Sequence, residues 1–304
     1  MTDAASKAAY HFLNLGVGVQ STTLYLMISR GEIDIKIDAA ITADTQEEPG
    51  HERRRLGLQD TDPSKSFYAH LEWLQKQGGP PIVVRTIGKL GDDLVLGRNS
   101  TGGRFTAVPV FTTADGGTTV GRTKRQCSKD YKVEPIERTI RREMLGLAPG
   151  RPVPRGVEIH QYIGFSLDEA GRSKRLREVK QKRGWHFHFP LIDRFWTRSD
   201  CLNYLAKNVP HKVPRSACVC CPYRSDAEWL WLQQNDPEGF QRAIDIDRAL
   251  RTSGSVANRD MSQQMYLHRS CKPLEQVQFN PRMTVREMQT NLQFAAECEG
   301  VCGV

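Results

Sequence analysis

Short apolar runs alternating with helix-length segments constrain this chain most, because each such pair reads as one strand–helix unit of a parallel sheet. Tyr10–Leu15 reads as a first buried strand and runs into a glycine turn. Helical periodicity follows from Ser21 to Arg30, with Gly31 placed to end it. Ile37–Ala43, Ile82–Thr86, Ile159–Phe165 and Phe187–Ile192 supply further strands, and Lys132–Leu145 a helix closed by Gly146. Between Gly88 and Arg125 the chain is rich in Gly, Thr and Asp, which reads as a long loop or small hairpin over the site. Beyond about Ser199 the pattern turns helical. Ser225 with Glu228 forms a capping box, Asp236-Pro237 starts another helix, and Thr284 with Glu287 starts a third. The expected architecture is α/β: a doubly wound, mainly parallel sheet with helices on both faces, plus a smaller helical, cysteine-bearing C-terminal region. The boundary is expected near 198, giving a nucleotide-binding domain over 1–198 and a cysteine/metal region over 199–304.

The 304 residues suffice for two such units. No apolar run approaches the length that spans a bilayer. Met1–Tyr10 has no apolar core of the signal-peptide kind. A cytoplasmic protein without a membrane partner is expected. The net charge of +8 favours anionic partners, nucleotides or nucleic acid, without choosing between them.

The segment from Asn14 to Thr22, Asn-Leu-Gly-Val-Gly-Val-Gln-Ser-Thr, joins the first strand to the first helix. Gly16 and Gly18 let the backbone approach phosphate oxygens, the helix N-terminus offers free N–H groups, and Ser21 and Thr22 add hydroxyls. The second strand ends in Thr42-Ala43-Asp44-Thr45-Gln46-Glu47-Glu48-Pro49, at the edge where open α/β sheets bind ligands.

These two elements together resemble the PP-loop superfamily, and within it the phosphoadenosine-phosphosulfate (PAPS) reductase family. Further matches follow in order. Cys127, then Lys132 with Pro135, resembles the family's Cys-x-x-x-x-Lys-x-x-Pro helix start. Gly164-Phe165-Ser166 with Asp168, Glu169 and Arg172 resembles its next strand end, and Phe189-Pro190-Leu191-Ile192 with Trp196 its last strand and exit. The resemblance covers residues 10 to 225. PP-loop pyrophosphatases carry Ser-Gly-Gly-x-Asp-Ser, whereas Gly16, Val17 and Gln20 stand here in place of the Ser, the first Gly and the Asp. That removes a magnesium anchor. Gln two residues after a glycine is similar to the PAPS reductase form of the loop. The resemblance implies an adenine nucleotide, ATP or a phosphosulfate (PAPS or APS), with magnesium as an accompanying ion. Its cofactor-binding residues would be Gly16, Gly18, Gln20, Ser21, Thr22, Thr42, Ala43, Asp44, Gly164, Asp168 and Arg172.

Six of the eight cysteines follow residue 210. Cys218-x-x-Cys221 has the spacing that lets two thiolates reach one metal, which suits structural zinc, a redox pair or buried small residues. The related adenosine-phosphosulfate (APS) reductases bind a 4Fe–4S cluster through a cysteine pair before the Lys-x-x-Pro helix and a later Cys-x-x-Cys. Cys127 matches the first of that pair, Ser128 stands at the second, and Cys218 and Cys221 match the later two. The fourth ligand is left to Cys220, Cys271, Cys298 or Cys302, with Cys298 preferred and Cys220 disfavoured as the neighbour of another. The tail Glu297-Cys298-Glu299-Gly300-Val301-Cys302 is similar to the Glu-Cys-Gly tail that carries the reductases' nucleophile, so Cys298 and Cys302 are catalytic candidates.

Basic residues gather at Arg53–Arg55, at Arg122–Arg125 and from Arg172 to Arg183. They suit either a solvated face or phosphate contact. The resulting expectation is a nucleotide-dependent sulfur-transfer enzyme with an iron–sulfur cluster and an acceptor that includes nucleic acid. Two other readings stand beside it: a PAPS or APS reductase working with a sulfur donor or thioredoxin-like protein, and a non-catalytic nucleotide- or nucleic-acid-binding protein with structural zinc.

Overall fold

The computed structural model describes residues 8–97, 108–113, 120–178, 182–252 and 263–280. In chain order its strands are β1 (Ala9–Asn14), β2 (Ala39–Ala43), β3 (Ile82–Arg85), β4 (Phe111–Thr113), β5 (Val120–Arg122), β6 (Glu158–Ile163), β7 (Trp185–His188) and β8 (Gln264–Tyr266). The first helices are α1 (Val19–Ser29), α2 (His51–Arg55), α3 (Phe67–Gln75), α4 (Leu90–Val95) and α5 (Glu134–Thr139). Wider-turned π segments, Lys129–Val133 and Ile140–Met144, flank α5. Then come α6 (Ala170–Glu178), α7 (Pro190–Asp193), α8 (Arg198–Asn208), α9 (Asp226–Asn235) and α10 (Pro237–Arg251).

Five strands form one sheet in the order β3-β2-β1-β6-β7, and every neighbouring pair is parallel. The chain steps outward from β1 to β3, then returns to lay β6 on the other side of β1. The order therefore reverses between β1 and β6, where parallel strands leave a crevice beyond their carboxyl ends. Alternation along the strands sends Leu13, Ala40 and Tyr162 into one core with α1, α3 and α8. It sends Phe12, Ala39, Ile41 and Ile159 into another, against Ile136 and Ile140. α1 is buried from Val19 through Ile28, with its polar residues Gln20 to Thr23 in the first turns and its apolar residues Leu24 to Ile28 after them, so it presents no polar outer face.

A third core holds the cysteine knuckle. Leu90, Leu94, Val108, Val110 and Tyr131 pack there with Cys218, Trp229, Phe240, Leu250 and Leu267. A small antiparallel sheet, β5-β4-β8, takes two strands from before residue 198 and one from after it. Within the stretch from Gly88 to Arg125, expected as a long loop or small hairpin, β4 and β5 pair antiparallel, while Leu90–Val95 forms the helix α4, which was not expected: its Leu90 and Leu94 are buried in the core around Trp229. α8 packs on α1, on the sheet side of the expected boundary. Helical periodicity locates these elements but does not say which core each apolar face fills. The strand expected over Phe187–Ile192 is β7 and stops at His188, because Pro190 fixes φ and starts α7. The helix expected from Thr284 lies outside the described residues. No described helix is long and apolar enough to cross a membrane.

Register places His11, His160 and His186 side by side across β1, β6 and β7. The His160 Nδ1 is 2.9 Å from Nε2 of His188, and His11 Nδ1 is 3.0 Å from the Tyr162 hydroxyl. Glu158 meets His186. Burial, then the neighbouring imidazoles, hold His160 and His188 below the ordinary histidine value, against Glu158 and Asp193. The unfolded chain titrates at about 6.5. Native affinity for these protons is lower, so the contribution to stability is complete above that pH and is lost as pH falls below it. The urea midpoint should therefore drop between pH 7.5 and 5.5, and His160→Gln should shrink the drop. An unchanged drop in the variant would assign the acid sensitivity to other groups.

Candidate nucleotide and thiol site

Three loops meet at the carboxyl edge of the sheet. In the first, Leu15 N–H donates to the Ile41 carbonyl at 2.9 Å and extends the β1–β2 pairing. The chain then turns through Val17, which has φ of 60° and is fully buried. A β-branched residue in the left-handed region costs on the order of 1–3 kcal/mol and persists only where the surroundings impose it. The strain thus falls on Val17, between the two glycines expected to carry the turn. Gly18 is the N-cap of α1, and its N–H donates to Ser21 Oγ at 3.1 Å. The first helical N–H groups have no partner within the helix. Gly164, just beyond β6, lets this turn approach: a Cβ there would lie 2.9 Å from the Ser21 Cα and backbone N.

The second loop leaves β2. The Thr42 hydroxyl is buried with no hydrogen-bond partner, an uncommon state for a buried polar group. Asp44 Oδ1 accepts from the Gln46 N–H and from the Tyr68 hydroxyl, each at 2.8 Å. Burial and Asp44 push the Tyr68 phenol well above its usual range. Gln46 takes φ of 56°. Glu47 is held by Arg242 at 2.6 Å, and its carbonyl accepts from Val219 N–H at 2.6 Å. Burial raises the Glu47 carboxyl, opposed by Arg242. Gly91 makes room, since a Cβ there would sit 2.2 Å from Glu47 Oε1.

The third loop follows β6. Ser166 and Glu169 form a capping box. Gln20 Nε2 donates to Glu169 at 3.0 Å, and its Oε1 accepts from Arg198 at 2.6 Å. Asp168 accepts from Ser166 Oγ at 3.3 Å and from the Arg198 N–H. Arg172 pairs with Glu169 and lies over the Phe165 ring at 4.4 Å. Gln20, Asp168 and Arg172 are thus engaged in holding α1, α8 and the β6 loop together. Thr22 is buried and meets His70 Nε2 at 3.1 Å, while His70 Nδ1 meets His211 at 2.8 Å. Burial lowers His70 to about 3, which keeps it neutral.

Beside the β2 loop, Cys127, Cys218, Cys220 and Cys221 line one pocket with Thr45, Lys132 and Arg125. The knuckle is closed by Cys221 N–H donating to the Cys218 carbonyl at 3.0 Å. Arg224, itself buried, donates to the carbonyls of Ala217 at 2.6 Å and Cys218 at 3.1 Å. Cys218 Sγ lies 3.2 Å from Thr45 Oγ1 and 3.9 Å from Glu48 Oε1, and Lys132 Nζ lies 3.6 Å from that same carboxylate oxygen. Burial, then Glu48, raises the Cys218 thiol, opposed by Lys132. Burial, then Glu47, raises Cys220, opposed by Arg242.

Three of the four cysteines expected as ligands, Cys127, Cys218 and Cys221, therefore share a pocket. Cys220 lines it too, although adjacency to Cys221 argued against it. The turn at the knuckle brings successive side chains to one wall. Cys201, on α8, faces the core shared with α1 and α3, and Cys271 does not line the pocket. Cys298 and Cys302 lie outside the described residues. Among the described residues, no group of three or more His, Cys, Asp or Glu side chains could hold a metal ion as placed. The donor chemistry, clustered thiols in an apolar pocket beside Lys132 and Arg125, fits a thiophilic centre.

Sequence reasoning passed over Thr45, Glu48, His70, Arg224 and Arg242. Thr45 and Glu48 stood within the acidic strand end. His70 sits among apolar neighbours of α3 and gave no signal. Trp185, at the start of β7, is a core residue. Comparison with protein-family models, with curated proteins and with solved structures finds no match.

Proposed function

We propose that this chain is a PAPS-reductase-like PP-loop enzyme on a doubly wound sheet. It binds an adenine nucleotide, ATP or a phosphosulfate, at the crevice between β1 and β6, and carries out sulfur transfer at the cysteine pocket beside it. The observation that carries the reading is the strained, buried Val17 turn at the switch point, next to the unsatisfied Thr42 hydroxyl. Strain of this kind collects at ligand sites, and an unpaired buried hydroxyl leaves a hydrogen-bond position for a ligand. Gly16, Gly18 and Ser21 offer backbone and hydroxyl donors to phosphate, while Thr42, Ala43 and Asp44 border the nucleoside. Gln20, Asp168 and Arg172 position that loop rather than touch the ligand.

Thr45 links the two halves, because it follows the nucleotide strand and contacts Cys218. Cys127, Cys218 and Cys221, with Cys220 or a tail cysteine as the fourth, would hold a 4Fe–4S cluster. Such a cluster, when bound, supplies redox and sulfur-binding chemistry. Lys132 sets a positive charge against the Glu48 carboxylate at the same wall and offsets thiolate charge there.

Anaerobic purification with iron, sulfide and zinc analysis tests the pocket. Wild-type protein should carry iron and acid-labile sulfide in equal amounts. Cys218→Ser and Cys221→Ser should lose both, and Cys201→Ser should keep both. Stoichiometric zinc, or metal unaffected by Cys221→Ser, would refute the cluster assignment.

A further inference from the structure

Two adjoining clefts lie on the far side of the helix that carries Cys127. One, about 330 Å³, is bordered by Lys129, Arg138, Arg141, Arg142 and Lys182, and the other, about 560 Å³, by Arg141, Lys182 and Arg183. They share Arg141, Gly150 and Lys182, so they form one continuous groove. Trp185 forms part of its wall and is buried, with Lys182 over its ring at 5.7 Å.

We infer that this groove is a docking surface for the sugar–phosphate backbone of a nucleic acid. Six cations border it against two acidic residues, Glu134 and Glu137. Glu137 is engaged with Lys182. Lys129, Arg138 and Arg142 are exposed and form no ion pair among the described residues. Lys129, Arg138, Arg141 and Arg142 are spread along α5 and its two flanking π segments, a stretch long enough for several successive phosphates of one strand. A single phosphate or nucleotide needs donors that converge, and here the cations are strung along the groove. A lipid surface needs apolar side chains to insert, and none of the large exposed ones borders the groove.

The groove also points to the reacting pocket. Ser128 and Lys132 border the cysteine pocket, while Lys129 and Val133, one position further on, border the groove. A strand bound along it would lie across this one helix from the thiols. The inference names the acceptor class of the proposed enzyme, but the binding itself requires neither nucleotide nor metal.

The test is fluorescence anisotropy of the full chain with labelled 24-mers of single-stranded RNA, single-stranded DNA and duplex DNA, at 50 and 200 mM salt. Arg138→Glu/Arg142→Glu should weaken binding at least about tenfold and flatten the salt dependence by close to two contacts' worth. Lys174→Glu/Arg175→Glu, on the exposed face of α6, should change it less than about twofold. The RNA and DNA arms identify which backbone is preferred. Equal losses from both double variants, salt-independent binding, absence of binding at 50 mM salt, or equal affinity for polyglutamate would each overturn the inference. Calorimetric nucleotide binding by the same variants is read separately. Failure there with the groove effect intact would defeat the nucleotide reading alone.

Discussion

Gly164→Val is expected to weaken nucleotide binding by about 100-fold or more in calorimetry, equivalent to about 2.7 kcal/mol. The Cβ alone would sit 2.9 Å from backbone atoms of Ser21, and backbone cannot rotate away as a side chain can. The first turn of α1 must then lift off β6, displacing the N–H groups offered to phosphate. Gln20 ties the same turn to Glu169 and Arg198, so it cannot move without breaking those bonds as well. Gly171→Ala is the control, since a Cβ there meets nothing within 4 Å. Equal affinity in Gly164→Val and wild type would place the ligand elsewhere.

The second large effect is on stability. Asp247, on α10, is fully buried; its Oδ1 accepts from Leu267 N–H at 2.8 Å and its Oδ2 from Leu274 N–H at 2.9 Å. Arg251 pairs with the same carboxylate. Asp247→Ala strands two buried donors and a largely buried guanidinium, at a cost of about 3–5 kcal/mol. Leu267 and Leu274 belong to the core that holds Cys218, Cys220 and Cys221. Urea unfolding should show the loss, and metal content should fall with it. Asp247→Asn keeps an acceptor and should lose less. A variant as stable as wild type would mean that the C-terminal loops are held by apolar packing alone.

The sheet was legible because buried parallel strands leave short stretches rich in aromatic and aliphatic residues, as at Tyr10–Leu15, broken by His11 and Asn14, and Ile159–Phe165, broken by His160 and Gln161. The capping boxes at Ser225 and the start at Asp236-Pro237 were legible because caps are local. What crosses between segments was not. Nothing near residue 111 announces that β4 will pair with β8, some 150 residues on. The glycines at 16 and 18 marked the loop, yet the left-handed position fell on Val17, which reads as an ordinary apolar residue. Gln20 and Arg172 looked available to a ligand. Their partners, Arg198 and Glu169, show that they build the loop instead. Cys220 was discounted from adjacency in sequence, whereas the knuckle turn decides where its thiol goes.

Hydrogen–deuterium exchange with and without nucleotide tests the central claim most directly. Saturating ATP or PAPS should slow exchange over residues 15–22 and 42–48, with little change along α9 and α10. Absence of protection, or protection confined to other segments, would contradict a nucleotide site at the β1–β6 crevice.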